Sequence, residues 1–294
     1  MKNLEPPVRI ELTTYALQVR CSTTELGRPG AGVIMTRKIH SFEPVKTFGK
    51  KRETVLLMHG GLSSTESWDY TVIPAVQRSH SIFAYDRSAH GRTASREGFY
   101  HFDFQTDEAI AYIEDVIKGP THLIGWSDGG IIALMVALKR PDLVKSIVAI
   151  GTNFHYDSGL SLIEEDPEIV ISEDDAAKFA LRSPDPAHMQ EVIIRKAYEV
   201  WNSEPTMTTA QLSRISCPVL VLTGDDEPFS NHHTIELYEA IPNARLAIVP
   251  GTSHFVVKEK SKLVQDLIKD FYKNLDFPIT TWPRLRKEQT EKLN

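Results

Sequence analysis

Short apolar runs alternate with amphipathic stretches through the middle of the chain. Val55 to Met58 is continuously apolar and ends at His59, Gly60 and Gly61, as a strand buried on both faces would. Residues 67–77, carrying Trp68, read as a helix, and Ile82 to Tyr85 as the next strand, ending at Asp86. Over residues 104–117, Ala109, Ile110, Ile113, Val116 and Ile117 fall at helical spacing, and Gly119 and Pro120 stop that helix. Thr121 to Ile124 then reads as a strand, Ile131 to Leu138 as a helix closed by Arg140 and Pro141, and Ser146 to Ile150 as a strand. This alternation predicts an α/β fold with a mostly parallel, doubly wound sheet and helices on both faces.

The rhythm breaks between Gly151 and about Ser216. That stretch holds Pro167, Pro184, Pro186 and Pro205, an acidic run at Glu173 to Asp175, and helical patterns near residues 174–181 and 187–201. It predicts a small helical cap, residues 152–216, inserted into a core formed by residues 1–151 and 217–275. Alternation resumes with a strand at 218–222, a helix at 231–241, a strand at 244–249 and a final amphipathic helix at 258–275. Leu263, Leu267, Ile268, Phe271 and Leu275 share one face of that helix. Residues 276–294 form a polar tail. Near the start, residues 8–19 and 33–39 alternate as edge strands do, with Gly27, Pro29, Gly30 and Gly32 as a turn between them.

The 294 residues suit one large domain with a cap, and Lys plus Arg 33 against Asp plus Glu 39 gives a net charge of −6. With no basic stripe, nucleic acid is not an expected partner. Cys21 and Cys217 have no C-x-x-C or zinc-like spacing, so no metal is expected and a reducing cytoplasm fits. Residues 1–10 lack an apolar segment of signal length, and no later run approaches the roughly 18 apolar residues of a membrane span. The expectation is a cytoplasmic protein without a membrane partner; a homodimer is left open.

Candidate chemistry centres on Gly125, Trp126, Ser127, Asp128, Gly129 and Gly130, lying between a strand and a helix. A serine hydroxyl is a weak nucleophile and must stand on a tight turn, where a base reaches it and backbone N–H groups face a developing oxyanion. Glycines two residues before and after relieve the crowding of such a turn. In folds built on this elbow the acid and then the histidine follow the serine in the chain. Among the eleven histidines that order favours His254, in a loop after the last strand, over His232 and His233. The acid falls in Gly224, Asp225, Asp226, Glu227, Pro228, where Asp or Glu can hold the imidazole tautomer and stabilise the imidazolium. The oxyanion donors are read as the N–H of Asp128 and a second from the loop after His59, with Gly61 first and Leu62 second.

Together these motifs, in order from about Glu53 to Leu275, resemble the α/β-hydrolase fold superfamily. In sequences of that fold the acid usually sits three residues after the glycine, which lands on Glu227, with Asp226 as rival. The string Gly-Trp-Ser-Asp-Gly-Gly is similar to the elbow of the valacyclovir hydrolase (biphenyl hydrolase-like) group and of related bacterial serine hydrolases. That resemblance implies cofactor-free serine chemistry on small carboxylic esters, and links Asp128 to binding an amino-acid ester ammonium. Aspartate replaces the serine in haloalkane dehalogenases and epoxide hydrolases, so Ser127 disfavours those chemistries. Two departures stand out: Ser88-Ala89-His90-Gly91 replaces the usual Arg-Gly-His-Gly, and the acid position carries Glu. Phe154, Tyr198, Trp201 and Phe229 are candidate walls of an apolar pocket. The rival readings are a carbon–carbon bond hydrolase of ring-cleavage products and a non-catalytic ligand-binding protein.

Overall fold

A computed structural model describes residues 20–26, 37–43, 52–158, 168–276, 278 and 280–282. The strand expected at 8–19, the turn at 27–32 and most of the polar tail lie outside these residues. The apolar runs become β3 (Glu53–Met58), β4 (His80–Tyr85), β5 (Thr121–Trp126), β6 (Val144–Ile150), β7 (Val219–Asp226) and β8 (Ala244–Ser253), which pair in parallel. Two further strands, β1 (Arg20–Leu26) and β2 (Arg37–Glu43), extend one edge antiparallel. The eight strands run β1-β2-β4-β3-β5-β6-β7-β8.

From β3 the chain turns outward to β4 and then crosses back to β5 on the other side. That reversal makes a crevice at the carboxyl ends of β3 and β5, where open α/β sheets bind ligands. His59 directly follows one of these strands and Ser127 the other.

Strand side chains alternate between two buried layers. Leu56, Met58 and Leu123 join one layer with α2 (Phe102–Tyr112) and α3 (Asp128–Lys139). Val55, Leu57 and Ile124 join the other with α1 (Ile73–Val76) and the C-terminal helices. Between β6 and β7 lie α4 (Glu173–Arg182), α5 (Met189–Trp201) and the single turn α6 (Thr209–Leu212). Helix α7 (Asn231–Ala240) joins β7 to β8, and α8 (Val256–Glu259) and α9 (Ser261–Lys273) follow.

Three local expectations are corrected. The helix read over 67–77 is a 3-10 turn at Thr65–Trp68 followed by α1, because Pro74 has no N–H and fits only in the first turn of a helix. The single helix over 258–275 is broken at Lys260, which leaves helical geometry while its ammonium is held by the Pro250 carbonyl. The segment before His254 is not a loop: β8 continues to Ser253, because the Asp225 carboxylate takes the Thr252 N–H at 3.0 Å and pairing resumes at Asp226 opposite Ser253.

Buried histidines make this fold acid-sensitive. Burial pushes His90 down to about 3 and both His122 and His233 down to about 4, from 6.5. Between pH 6.5 and about 4 the unfolded chain therefore binds more protons than the folded one, so stability falls as pH falls. At pH 5 each histidine costs roughly 2 kcal/mol. Three such losses should lower the thermal midpoint by on the order of 10 °C between pH 7 and pH 5. A midpoint unchanged over that interval, measured by circular dichroism, would contradict this account.

Candidate active site

The serine stands where the sequence demanded an exposed turn. Ser127 has φ 55° and ψ −122°, a strained conformation for a non-glycine residue, between β5 and α3. The turn closes only because its flanking glycines have no side chain. A Cβ on Gly125 would lie 2.1 Å from the Gly129 carbonyl oxygen, and one on Gly129 would lie 1.9 Å from that of Met58. The elbow is thus packed directly on the end of β3.

Beyond β8, His254 reaches back over this turn. Its Nε2 lies 3.0 Å from the Ser127 hydroxyl, and its Nδ1 lies 2.5 Å from a Glu227 carboxylate oxygen. Its carbonyl accepts the Trp126 indole N–H at 2.9 Å, which ties the histidine backbone to the strand carrying the serine. The Glu227 side chain is fully buried, and its other oxygen accepts from the Thr223 hydroxyl at 2.7 Å and the Gly224 N–H at 3.1 Å. Asp226, the rival acid, is exposed in β7 opposite Ser253. The structure therefore brings Ser127, His254 and Glu227 into one hydrogen-bonded row. A carboxylate that orients an imidazole against a serine hydroxyl can raise that serine's nucleophilicity.

The loop after β3 lies beside the serine: a Cβ on Gly60 would stand 3.3 Å from the Ser127 Cβ. Leu62, the second candidate donor, has φ 51° and a half-exposed side chain. Asp128 is buried next to it. Its Oδ1 accepts the Trp201 indole N–H at 3.0 Å, and its Oδ2 lies 3.7 Å from the buried Arg87 guanidinium. Burial raises the Asp128 pKa, and Arg87 and then Trp201 pull it back. The carboxylate is thus already paired within the chain, an arrangement invisible in the elbow motif.

Of the proposed aromatic walls, Trp201 packs on the Gly61 position and Phe229 lies edge-on to His254, with ring centroids 6.3 Å apart. Phe154 stacks on His233 and is buried, and Tyr198 leans against Trp201. A groove of about 690 Å³ runs between α4, α5 and the 62–70 segment, lined among others by Leu62, Tyr70, Phe179, Ile193 and Lys258. At Leu62 and His90 it meets a water-sized pocket against Asp128 and Trp201. Among the described residues no group of three or more His, Cys, Asp or Glu side chains is placed to hold a metal ion. No described helix is long and apolar enough to cross a membrane.

Sequence reasoning missed three contributors. Arg87 holds the β3 loop, Thr223 holds Glu227, and Trp126 holds the His254 backbone. The one available signal was Arg87 itself, a cation at the buried end of a strand.

Comparison with known proteins agrees with this fold. Residues 55–265 match the model of the alpha/beta hydrolase family. The chain belongs to that family. This alpha/beta hydrolase is 24% identical over 241 residues to the serine hydrolase BPHL of Mus musculus, covering 75% of this chain and 81% of that one. It is 25% identical over 228 residues to the (E)-2-((N-methylformamido)methylene)succinate hydrolase of Acinetobacter baylyi, covering 69% and 84%. Among solved structures, Rv0554 from Mycobacterium tuberculosis superimposes with a TM-score of 0.68 at 18% identity, covering 86% of this chain and all of that one. The hydrolase fold, with its mostly parallel sheet, is as the sequence motifs implied.

Proposed function

We propose that this hydrolase cleaves small carboxylic esters through an acyl-enzyme on Ser127. The observation that carries the reading is the Glu227, His254, Ser127 row, with both hydrogen bonds in place. In this scheme His254 takes the serine proton as Ser127 attacks the carbonyl, then returns it to the leaving alcohol. The Ser127–carbonyl bond forms as the carbonyl π bond opens to an oxyanion, and the ester C–O bond breaks as that intermediate collapses. Water, deprotonated by the same histidine, then releases the acid. The N–H groups of Gly61 and Asp128 hold the oxyanion, and Glu227 keeps the imidazole in its productive tautomer. No cofactor enters. The match to a curated serine hydrolase supports this chemistry; the match to a hydrolase acting on a methylenesuccinate amide keeps other acyl groups within reach.

The pairing of Asp128 with Arg87 and Trp201 favours neutral esters over amino-acid esters, because an incoming ammonium would have to displace a hydrogen bond and share the carboxylate with a guanidinium. p-Nitrophenyl acetate and butyrate should be turned over by the wild type and not by Ser127→Ala. Turnover of vinylogous keto acids far faster than these esters would instead select carbon–carbon hydrolysis.

The choice of acid is separately testable. Glu227→Gln should lower kcat by roughly 10²- to 10⁴-fold, since it removes the charge that stabilises the imidazolium. Asp226→Asn should stay within about threefold of wild type, as an exposed surface change does. Equal losses in the two variants, measured as kcat on p-nitrophenyl butyrate, would contradict the assignment.

A further inference from the structure

The buried cation beside the nucleophile takes no part in the acyl-transfer steps above. Arg87, directly after the buried Asp86 at the end of β4, is only 1% exposed. Its Nη1 donates to the His59 carbonyl and its Nη2 to the Gly60 carbonyl at 3.1 Å. The Arg87 backbone N–H donates to the His59 Nε2 at 3.2 Å, which leaves the proton of that neutral ring on Nδ1. Nδ1 in turn lies 2.8 Å from the same Gly60 carbonyl. Burial drives His59 well below its ordinary pKa, so the ring stays neutral and keeps this tautomer. Two donors, one of them cationic, therefore converge on one backbone oxygen.

The Gly60–Gly61 peptide is trans, so its N–H points opposite to its carbonyl. Fixing the Gly60 oxygen on the Arg87 side thus fixes the direction of the Gly61 N–H. Among the described residues that N–H has no acceptor. The loop lies against Ser127 on one side and under Trp201 on the other. Glycines hold no peptide orientation by themselves, because their backbone is the most permissive of any residue. A guanidinium on the carbonyl also polarises the peptide and strengthens its N–H as a donor.

We propose that Arg87 is the positioning residue of the oxyanion hole: by clamping the Gly60 carbonyl it presets the Gly61 N–H toward the oxyanion formed on Ser127. Arg87 does not touch substrate; it acts through the peptide. Asp128 completes the arrangement by balancing the buried charge from the other side. The inference rests on the serine chemistry proposed above, with Gly61 as a donor.

The test compares an oxoester, p-nitrophenyl butyrate, with its thiono analogue, whose C=S sulfur accepts hydrogen bonds poorly and so gains little from an oxyanion hole. Arg87→Met and Arg87→Lys are measured with the wild type, each folded fraction set by active-site titration. In Arg87→Met the oxoester kcat should fall by roughly 10- to 100-fold, less than the loss of a donor outright. KM and the thionoester rate should stay within about threefold, so the oxo-to-thiono ratio collapses; Arg87→Lys should fall between. A merely structural role would lower both substrates together. A ratio unchanged in either folded variant overturns the proposal, and Arg87→Lys carries the test alone if Arg87→Met does not fold. Wild-type turnover that survives Ser127→Ala would instead remove the serine chemistry, and this inference with it.

Discussion

His254→Ala is expected to lower kcat for ester hydrolysis by roughly 10⁶-fold, and the double variant Ser127→Ala/His254→Ala to be no slower than either single one. The reason is geometric. His254 stands 3.0 Å from the only hydroxyl that β5 presents at the elbow, and its other nitrogen is committed to Glu227. Serine without its base is a neutral alcohol, and the base without its serine has no nucleophile to activate. The residues act as one unit, so their effects do not add. What survives should be a weak background from oxyanion binding alone. A double variant slower than His254→Ala by a further factor of about 100 or more would mean the two act in separate steps.

Gly129→Ala should destabilise the protein by about 3 kcal/mol or more, at or beyond the upper end of ordinary overpacking. The added carbon would stand 1.9 Å from the Met58 carbonyl oxygen and 2.8 Å from that of His59, both backbone atoms at the end of β3. Neither can move without dragging the loop that carries Gly60 and Gly61. Activity of whatever folds should therefore drop as well. Gly119→Ala is the control, since nothing lies within 4 Å of its added carbon, and it should change stability by under about 0.5 kcal/mol. Urea titration of both variants checks the pair. Equal midpoints for Gly129→Ala and wild type would mean the elbow is not packed on β3.

The elbow was legible because its chemistry is local: six consecutive residues set the strand, the strained serine and the close helix start. His254 was legible from chain order and from its place after the last strand. The acid was narrowed but not resolved, because Asp226 and Glu227 are adjacent and differ only in what surrounds them. Thr223 and Gly224 hold the Glu227 carboxylate, and the sheet register leaves Asp226 outside. The Arg87 clamp and the hydrogen bond from Trp201 to Asp128 escaped notice for a different reason. The partners lie 27 and 28 residues away for Arg87 and 73 for Trp201, and no periodicity encodes a contact across a crossover. The helix breaks had mixed origins. Pro74 carried its own signal, whereas the break at Lys260 depends on the Pro250 carbonyl in β8.

The most direct test of the central claim is the mass of the protein after exposure to a fluorophosphonate, followed by mapping of the modified peptide. The structure calls for one adduct, on Ser127, formed quickly in the wild type, slowly in His254→Ala and not at all in Ser127→Ala. An unlabelled wild type, or an adduct on any other residue, would contradict the claim that Ser127 is the nucleophile of this hydrolase.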